Sequence, residues 1–295
     1  MATGLSGDAL VELAARSASA PEQGVLHLIA TPIGHLGDLT LRAARCLVEV
    51  ETLYCEDTRV TAKLLGALGA RRHLISLNEH NEEARIEAVL ADLEAGGSVG
   101  IASDAGTPLL SDPGARVVQA AIQAGHRVTT IPGASAALSA LVLSGFPAAP
   151  SLFLGFAARK RGRLAEQLAP FARAPVTLVL FEAPGRVTSL LENLSELLGD
   201  RSVVVARELT KKHETMYRGR LSQVPELNER GEMVVVVAPP EPALALEGER
   251  LDQEILRLIE QGHRPKSIAK LLAAQADQRT VYARSVELRA CSQRE

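Results

Sequence analysis

Short apolar runs alternate with segments of helical spacing along most of this chain. Many of those runs end in a loop rich in Gly, Pro, Asp and hydroxyl side chains. Strand-like runs at 25–31, 52–55, 74–77, 99–102 and 128–131 alternate with helical patterns at 39–50, 58–68, 82–95, 115–124 and 134–143. Such alternation implies right-handed crossovers and a mainly parallel sheet covered on both faces. Asp38 or Thr40 is placed to cap the first helix, and Gly69 to end the second. Phe146-Pro147-Ala148-Ala149-Pro150 reads as a linker into a second, shorter set. That set has strands at 152–155, 176–181, 203–207 and 233–238 and helices at 164–169 and 187–198, with a local strand at 215–221 that makes the second sheet mixed. Prolines and acids at 238–249 mark another linker, and 250–290 reads as two or three amphipathic helices broken at Gly262 and Pro265. The expected division is therefore a polar tail over 1–23, α/β domains over 24–149 and 150–240, and a small helical module over 246–295.

Composition removes several classes of function. At 46% hydrophobic and 23% charged, the 295 residues are ordinary for a globular protein. No apolar run approaches the roughly 18–20 residues that a membrane span needs. The first residues lack a basic stretch followed by an apolar core, so no secretory signal is expected. Three scattered cysteines, Cys46, Cys55 and Cys291, supply neither a disulfide framework nor a zinc site, and a reducing cytoplasm is the expected setting. No His-x-x-x-His or His-Glu-x-x-His occurs, so no metal is expected. A net charge of −3 requires any nucleic-acid binding to use a local basic patch. With 3% aromatics and no Trp, a base-stacking platform is disfavoured.

The candidate site lies in the loops. Ser103-Asp104-Ala105-Gly106-Thr107-Pro108-Leu109-Leu110-Ser111-Asp112-Pro113-Gly114 follows one strand and precedes a helix, the place where open α/β sheets bind ligands. There Asp104 can accept hydrogen bonds, Gly106 permits close backbone approach, and Asp112-Pro113 is expected to cap the next helix. Thr31-Pro32-Ile33-Gly34-His35-Leu36-Gly37-Asp38 follows the first strand but carries neither a G-x-G-x-x-G fingerprint nor a P-loop. Cys55-Glu56-Asp57-Thr58-Arg59 clusters two carboxylates with a guanidinium; helix capping by Asp57 or Thr58 would use the same residues. Ile131-Pro132-Gly133-Ala134-Ser135-Ala136-Ala137 is small enough to leave room for a ligand, and Phe181-Glu182-Ala183-Pro184-Gly185-Arg186 and Ala206–Glu214 end strands of the second half. Polar loops at the strand ends of both halves point to a cleft between them.

Taken in order, IATPIGHLGDLTLRA, CEDTRVTAKLL, NEHNE, SDAGTPLLSDPG, IPGASAAL, FEAPGR and ARELTKKHE resemble the bacterial 16S rRNA (cytidine-2′-O)-methyltransferases of the tetrapyrrole methylase superfamily. The resemblance runs from about Val25 to Ala238, and the helical tail fits it too. It implies two α/β domains of tetrapyrrole methylase type, a non-Rossmann methyltransferase, with a small C-terminal helical module. It further implies S-adenosylmethionine as cofactor, the ribose 2′-oxygen of cytidine 1402 as target, 16S rRNA in the small ribosomal subunit as partner, and a homodimer. Carried over by position, cofactor contacts are expected from Ile33, Asp104, Ala105, Gly106, Thr107, Ser135 and Ala136, and from Phe181, Ala206 and Met233 in the second half. The family pattern usually has His where this chain has Gly185, so either a histidine at that point is not essential here or the activity is altered.

A ribose hydroxyl is a weak nucleophile, and a base or cation beside it helps its proton leave. The candidates are Lys211, Glu208, Glu56, Asp57 and His80; a Lys211 beside a bound sulfonium would have its pKa lowered and accept a proton, or it would stay charged and steady the developing alkoxide or grip a phosphate. Arg159, Lys160, Arg161 and Arg163 put four cations in five residues where a helix opens. Such a run is usually a solvated face, but cations there oppose the helix dipole, which adds weight to an anionic partner. The tail over 246–295 is near balance, with 9 Lys/Arg against 8 Asp/Glu, and is read as a docking or RNA-shape module or as a cap on the second domain. Two rival readings are a tetrapyrrole methyltransferase, which would have a roomy apolar cleft and no use for the basic run, and a non-catalytic ligand-binding module, which would not need so many polar loops at one cleft.

Overall fold

The computed structural model describes residues 20–224, 226–241, 246–273 and 275–292. Most of the polar tail expected over 1–23 therefore lies outside the described residues, as does 242–245 of the second linker. The described residues form two compact units that divide between Pro239 and Pro240.

The first sheet contains β1 (Val25–Ile29), β2 (Thr52–Cys55), β3 (Ile75–Ser76), β4 (Val99–Ala102) and β5 (Arg127–Ile131). All its pairings are parallel, in the order β3-β2-β4-β1-β5. Between the strands run α1 (Leu41–Glu49), α2 (Thr58–Ala67), α3 (Glu82–Glu94) and α4 (Ala115–Gln123). Successive strand side chains face opposite ways, so each strand feeds two cores. Ile29, Leu53 and Cys55 pack with Leu47 and Leu65 on one face, while Leu26, Tyr54, Val99 and Ile101 pack with Val89, Leu93 and Val117 on the other. Of the two residues placed to cap α1, Thr40 does so, its hydroxyl accepting from the Ala43 N–H.

The cap of α4 comes from elsewhere in the chain than the sequence suggests. The residue before α4 is Gly114, at φ 116°, and Asp112 does not cap the helix. Instead the buried carboxylate of Glu82, at the start of α3, accepts from the backbone N–H groups of Gly114 (3.1 Å) and Arg116 (2.7 Å). An anion at those open N–H groups also meets the positive end of the helix dipole. Asp112 instead accepts a hydrogen bond of 2.6 Å from the Ser103 hydroxyl, inside its own loop.

The second sheet contains β6 (Ser151–Phe156), β7 (Thr177–Glu182), β8 (Ser202–Arg207), β9 (Thr215–Arg220) and β10 (Met233–Val237), ordered β6-β7-β10-β8-β9. β6 and β7 are parallel and the other pairs antiparallel, the mixed sheet that the local strand implied. Leu178, Leu180, Val203, Val205 and Val235 face α6 (Arg161–Leu168) and α7 (Val187–Leu198). The opposite face is covered by α5 (Ala136–Ser144), whose Ala137, Ala140 and Leu141 pack with Val179, Ala206, Val234 and Val236. A helix from the sequence expected as the first domain thus closes the core of the second sheet. Three helices make the second unit, α8 (Gly248–Glu260), α9 (Pro265–Leu271) and α10 (Gln278–Ser292), around Leu251, Ile255, Leu258, Ile268, Leu272 and Val281.

Replacing Glu82 with Ala leaves two helix N–H groups without their acceptor. Urea unfolding is expected to show a loss of about 1–3 kcal/mol, with Glu82→Gln, which keeps an acceptor oxygen, losing clearly less.

Candidate active site

The loops that follow the strands of the first sheet are fastened to one another by backbone and side-chain hydrogen bonds. Thr31 and Gly106 exchange both backbone bonds, at 2.9 and 3.0 Å, and the Thr31 hydroxyl donates to the Ser103 carbonyl. The Thr107 hydroxyl donates to the Ala134 carbonyl, and an Asp104 oxygen accepts from the Asp57 N–H at 3.1 Å. The first loop also meets the loop after β8, where the His35 N–H donates to the Thr210 hydroxyl. Gly34 is the point of closest approach: a Cβ there would lie 2.4 Å from Lys211 Cγ and 2.8 Å from Thr210 Oγ1. Among the described residues, four non-glycines have positive φ: Leu109 and Ser111 in one loop, Glu208 and Thr210 in the other. Backbone strain of this kind persists only where surrounding structure enforces it, and it gathers at functional sites.

These loops enclose a cavity of about 360 Å³ between the two sheets. Seven of the residues named from sequence as cofactor contacts line it: Ile33, Asp104, Ala105, Ala136, Phe181, Ala206 and Met233. Gly106, Thr107 and Ser135 do not. Gly106 is occupied in the bridge to Thr31, Thr107 in its bond to Ala134, and Ser135 in capping α5. The remaining wall includes Leu110, Ser111, Asp112, Phe156, Glu182, Leu209, Glu232 and Val234. Glu182 is buried and held by the Ala183 N–H and the Arg186 guanidinium. Phe181 meets Phe153 and Phe156 edge-on, with centroids 4.8 and 5.7 Å away. Phe156, Glu182 and Glu232 were not among the sequence candidates. The FEAPGR loop was a signal for Glu182, but nothing local marks Glu232.

Two further hollows adjoin this cavity, and Asp104 lines all three. One holds Glu56, Asp57, Glu79, His80 and Arg59, and is acidic. Partial burial, reinforced by Asp112, Asp104, Glu79 and Asp57, pushes the Glu56 carboxyl above its ordinary pKa. Burial also raises Asp104 and Asp112. Asp57 is different: it caps α2 through the Arg59 N–H and pairs with the Arg59 guanidinium, which holds it at about 2. That is the capping role open to it from sequence, and it leaves Asp57 a weak proton acceptor. His80 is exposed in the same hollow.

The other hollow holds Lys211. Its ammonium donates to Glu208 at 2.9 Å and to Glu232 at 3.0 Å, and Glu208 also accepts from the Glu232 N–H. Burial alone would pull the Lys211 pKa down, but the two carboxylates outweigh it and leave it raised. The lowering anticipated beside a sulfonium is thus opposed by two anions whose positions the sequence spacing alone does not fix. Glu208 is lowered by its bond from Lys211. Lys211 is therefore arranged as a fixed cation rather than a proton acceptor.

The basic run occupies the N-terminal end of α6, three residues earlier than its periodicity suggested. Arg161 pairs with Glu196, while Arg159, Lys160 and Arg163 are exposed without an ionic partner among the described residues. Gly185 sits at φ 75°, a conformation that disfavours a side chain, and open space surrounds it. Among the described residues there is no cluster of His, Cys, Asp and Glu that could hold a metal, and no helix long and apolar enough to cross a membrane.

The family model described as Tetrapyrrole (Corrin/Porphyrin) Methylases matches residues 25–225. A Xylella fastidiosa protein named ribosomal RNA small subunit methyltransferase I is 42% identical over 260 residues, covering 85% of this chain and 94% of that protein. Proteins of the same name from Mesorhizobium japonicum and Thermotoga maritima are 40% and 41% identical, covering 91% and 74% of this chain and 94% and 100% of their own lengths. Among solved structures, a uroporphyrin-III-C-methyltransferase from Thermus thermophilus matches with TM-score 0.53 at 22% identity, covering 73% of this chain and 94% of that one. A diphthine synthase matches with TM-score 0.56 at 16% identity, covering 72% and 90%. At such identities these two structures speak to the fold alone.

Asp57 ties charge to stability at the acidic hollow. Its pKa falls from 3.8 to about 2 in the folded chain, so its contribution is present above pH 4 and is lost as pH falls through about 2. Asp57→Asn keeps the cap geometry, and its melting temperature is expected to lie below that of the parent at pH 7 and to converge with it near pH 2.

Proposed function

We propose that this chain, which belongs to the tetrapyrrole methylase family and groups there with ribosomal RNA small subunit methyltransferase I, methylates the ribose 2′-oxygen of cytidine 1402 in 16S rRNA using S-adenosylmethionine. The observation that carries this reading is the roughly 40% identity to proteins of that name across nearly their whole length. The chain is a methyltransferase. The cytidine, the oxygen and the donor are the parts proposed.

The principal cavity suits a sulfonium donor. Its walls are largely apolar, Phe181 places an aromatic ring among them, and Asp104, Glu182 and Glu232 add carboxylates to the lining. S-adenosylmethionine, when bound, supplies the methyl group. Ile33, Ala105, Ala136, Ala206 and Met233 are proposed to shape its seat and exclude water, with Asp104 at the polar end. Much of the acceleration in such a transfer comes from alignment, which fastened loops provide. Lys211, steadied by Glu208 and Glu232, is proposed to stabilise the oxyanion that develops as the 2′-hydroxyl loses its proton. Glu208 acts through Lys211, as a positioning residue.

Arg159, Lys160 and Arg163 are proposed to grip rRNA phosphates, with a cytoplasmic small ribosomal subunit as partner. A homodimer also fits this reading, since α5 leaves Leu138 at 63% and Val142 at 74% exposure, an apolar surface that a second copy would cover.

Labelled S-adenosylmethionine offered with isolated 30S subunits, naked rRNA or uroporphyrinogen tests the assignment: label is expected in 16S rRNA alone, and label in uroporphyrinogen would overturn it. In single turnover, Lys211→Met is expected to slow transfer to 30S by about tenfold or more, with calorimetric donor affinity within a few-fold of the parent. Asp104→Ala is expected to weaken donor binding while the chain stays folded.

Replacing Arg159, Lys160, Arg161 and Arg163 by Ala is expected to flatten the salt dependence of RNA binding. The log–log slope should fall by about 0.7–0.9 for each phosphate that the variant no longer neutralises. Because Arg161 is already paired with Glu196, it should contribute least. An unchanged slope would return the run to a solvated face.

A further inference from the structure

The principal cavity has two neighbours that could admit an acceptor, and they differ in charge. The acidic one presents Glu56, Asp57, Glu79 and Asp104, with the guanidinium of Arg59 already held by Asp57. A polyanion is repelled there. The other, of about 280 Å³, has apolar walls from Pro32, Leu36, Val60 and Leu64, and its charged groups are Lys211, Asp104 and Glu232, fewer carboxylates than its neighbour presents. It shares Ile33, Asp104, Ala105 and Glu232 with the principal cavity, so the two spaces adjoin.

From this arrangement we infer that the hollow between the first loop and α2 is the seat of the acceptor nucleoside, with its base against Leu36, Val60 and Leu64 and its ribose toward the Asp104–Ala105 wall and Lys211. This deepens the reading above and rests on it. An in-line displacement needs the acceptor oxygen and the donor sulfur on opposite sides of the transferred carbon, and two adjoining spaces that share lining residues allow that layout. The 2′-oxygen gains its bond to the methyl carbon as that carbon's bond to sulfur breaks, and the hydroxyl proton leaves to a carboxylate or water.

Exposure supports the same choice. Leu36 and Val60 are 49% and 39% exposed although they line a concave surface. Apolar side chains held open beside a lysine suit a flat, partly apolar base taken out of its stack, since enzymes that act within a nucleic acid extrude the target into a pocket. Gly34 belongs to this design: a Cβ at that position would collide with Lys211 and Thr210 and displace the cation from the hollow.

The first test is photo-crosslinking of the full-length protein to 30S subunits in the presence of S-adenosylhomocysteine. A benzophenone amino acid replaces Val60 in the apolar hollow or Glu79 in the acidic one. The inference expects the probe at Val60 to capture the nucleotide that the parent enzyme methylates, and the probe at Glu79 to capture distant rRNA or nothing. Capture of the methylated nucleotide from position 79 but not 60 would overturn it. A second test separates binding from chemistry. Leu36→Gln and Val60→Gln alter exposed side chains, and are expected to raise the KM for 30S subunits about tenfold together, with calorimetric donor affinity unchanged. Unchanged KM in the double variant would also overturn the inference. Failure of the underlying reading looks different, because the parent itself would then transfer no methyl to 30S.

Discussion

The apolar plug between α5 and the second sheet is the contact on which the rest of the molecule depends. Ala137, Ala140 and Leu141 bury against Val179, Ala206, Val234 and Val236, and Ile33 and Leu209 complete the same cluster. Their burial ties the strand ends of the first sheet to one face of the second. Ile33, Ala206, Leu209 and Val234 are at once members of the plug and walls of the principal cavity. The cavity is therefore the open edge of a core, and its shape is as rigid as the packing behind it. A lining of this kind is preorganised, so little ordering remains to be done when a ligand arrives.

Charge is distributed around that cavity with a clear division. On the α2 side, burial raises Glu56, Asp104 and Asp112, and neighbouring carboxylates add to it: Asp112, Asp104, Glu79 and Asp57 for Glu56, Asp57 for Asp104, and Asp104 for Asp112. On the side of the loop after β8, Glu208 and Glu232 hold one lysine in place and keep it charged. The positive φ angles of Glu208 and Thr210 belong to this second arrangement, since they turn the loop so that Glu208 can reach both Lys211 and the Glu232 N–H. Strain in the backbone is offset by hydrogen bonds to a charged group, which are stronger than neutral ones.

The element order was legible in the residues because period-2 and period-3.6 patterns report burial directly. β2 falls at 52–55 and α7 at 187–198 as their patterns read, and Thr40 caps as its position before a helix suggested. Where the reading failed, the missing partner was distant in sequence. Asp112-Pro113-Gly114 has the local form of a cap, but Glu82, thirty-two residues earlier, reaches Gly114 N first.

The sequence by itself determined which segments are strands and helices, that the first sheet is parallel, that the second is mixed, and that polar loops gather at strand ends. These follow from periodicity and turn chemistry, which act over a few residues. Only the tertiary structure decided that α5 crosses to the second sheet, that Glu232 joins Glu208 around Lys211, and that Asp104 stands at the meeting of three hollows. Those facts depend on burial and Coulomb interaction between groups tens to more than a hundred residues apart, and no local pattern encodes such distances.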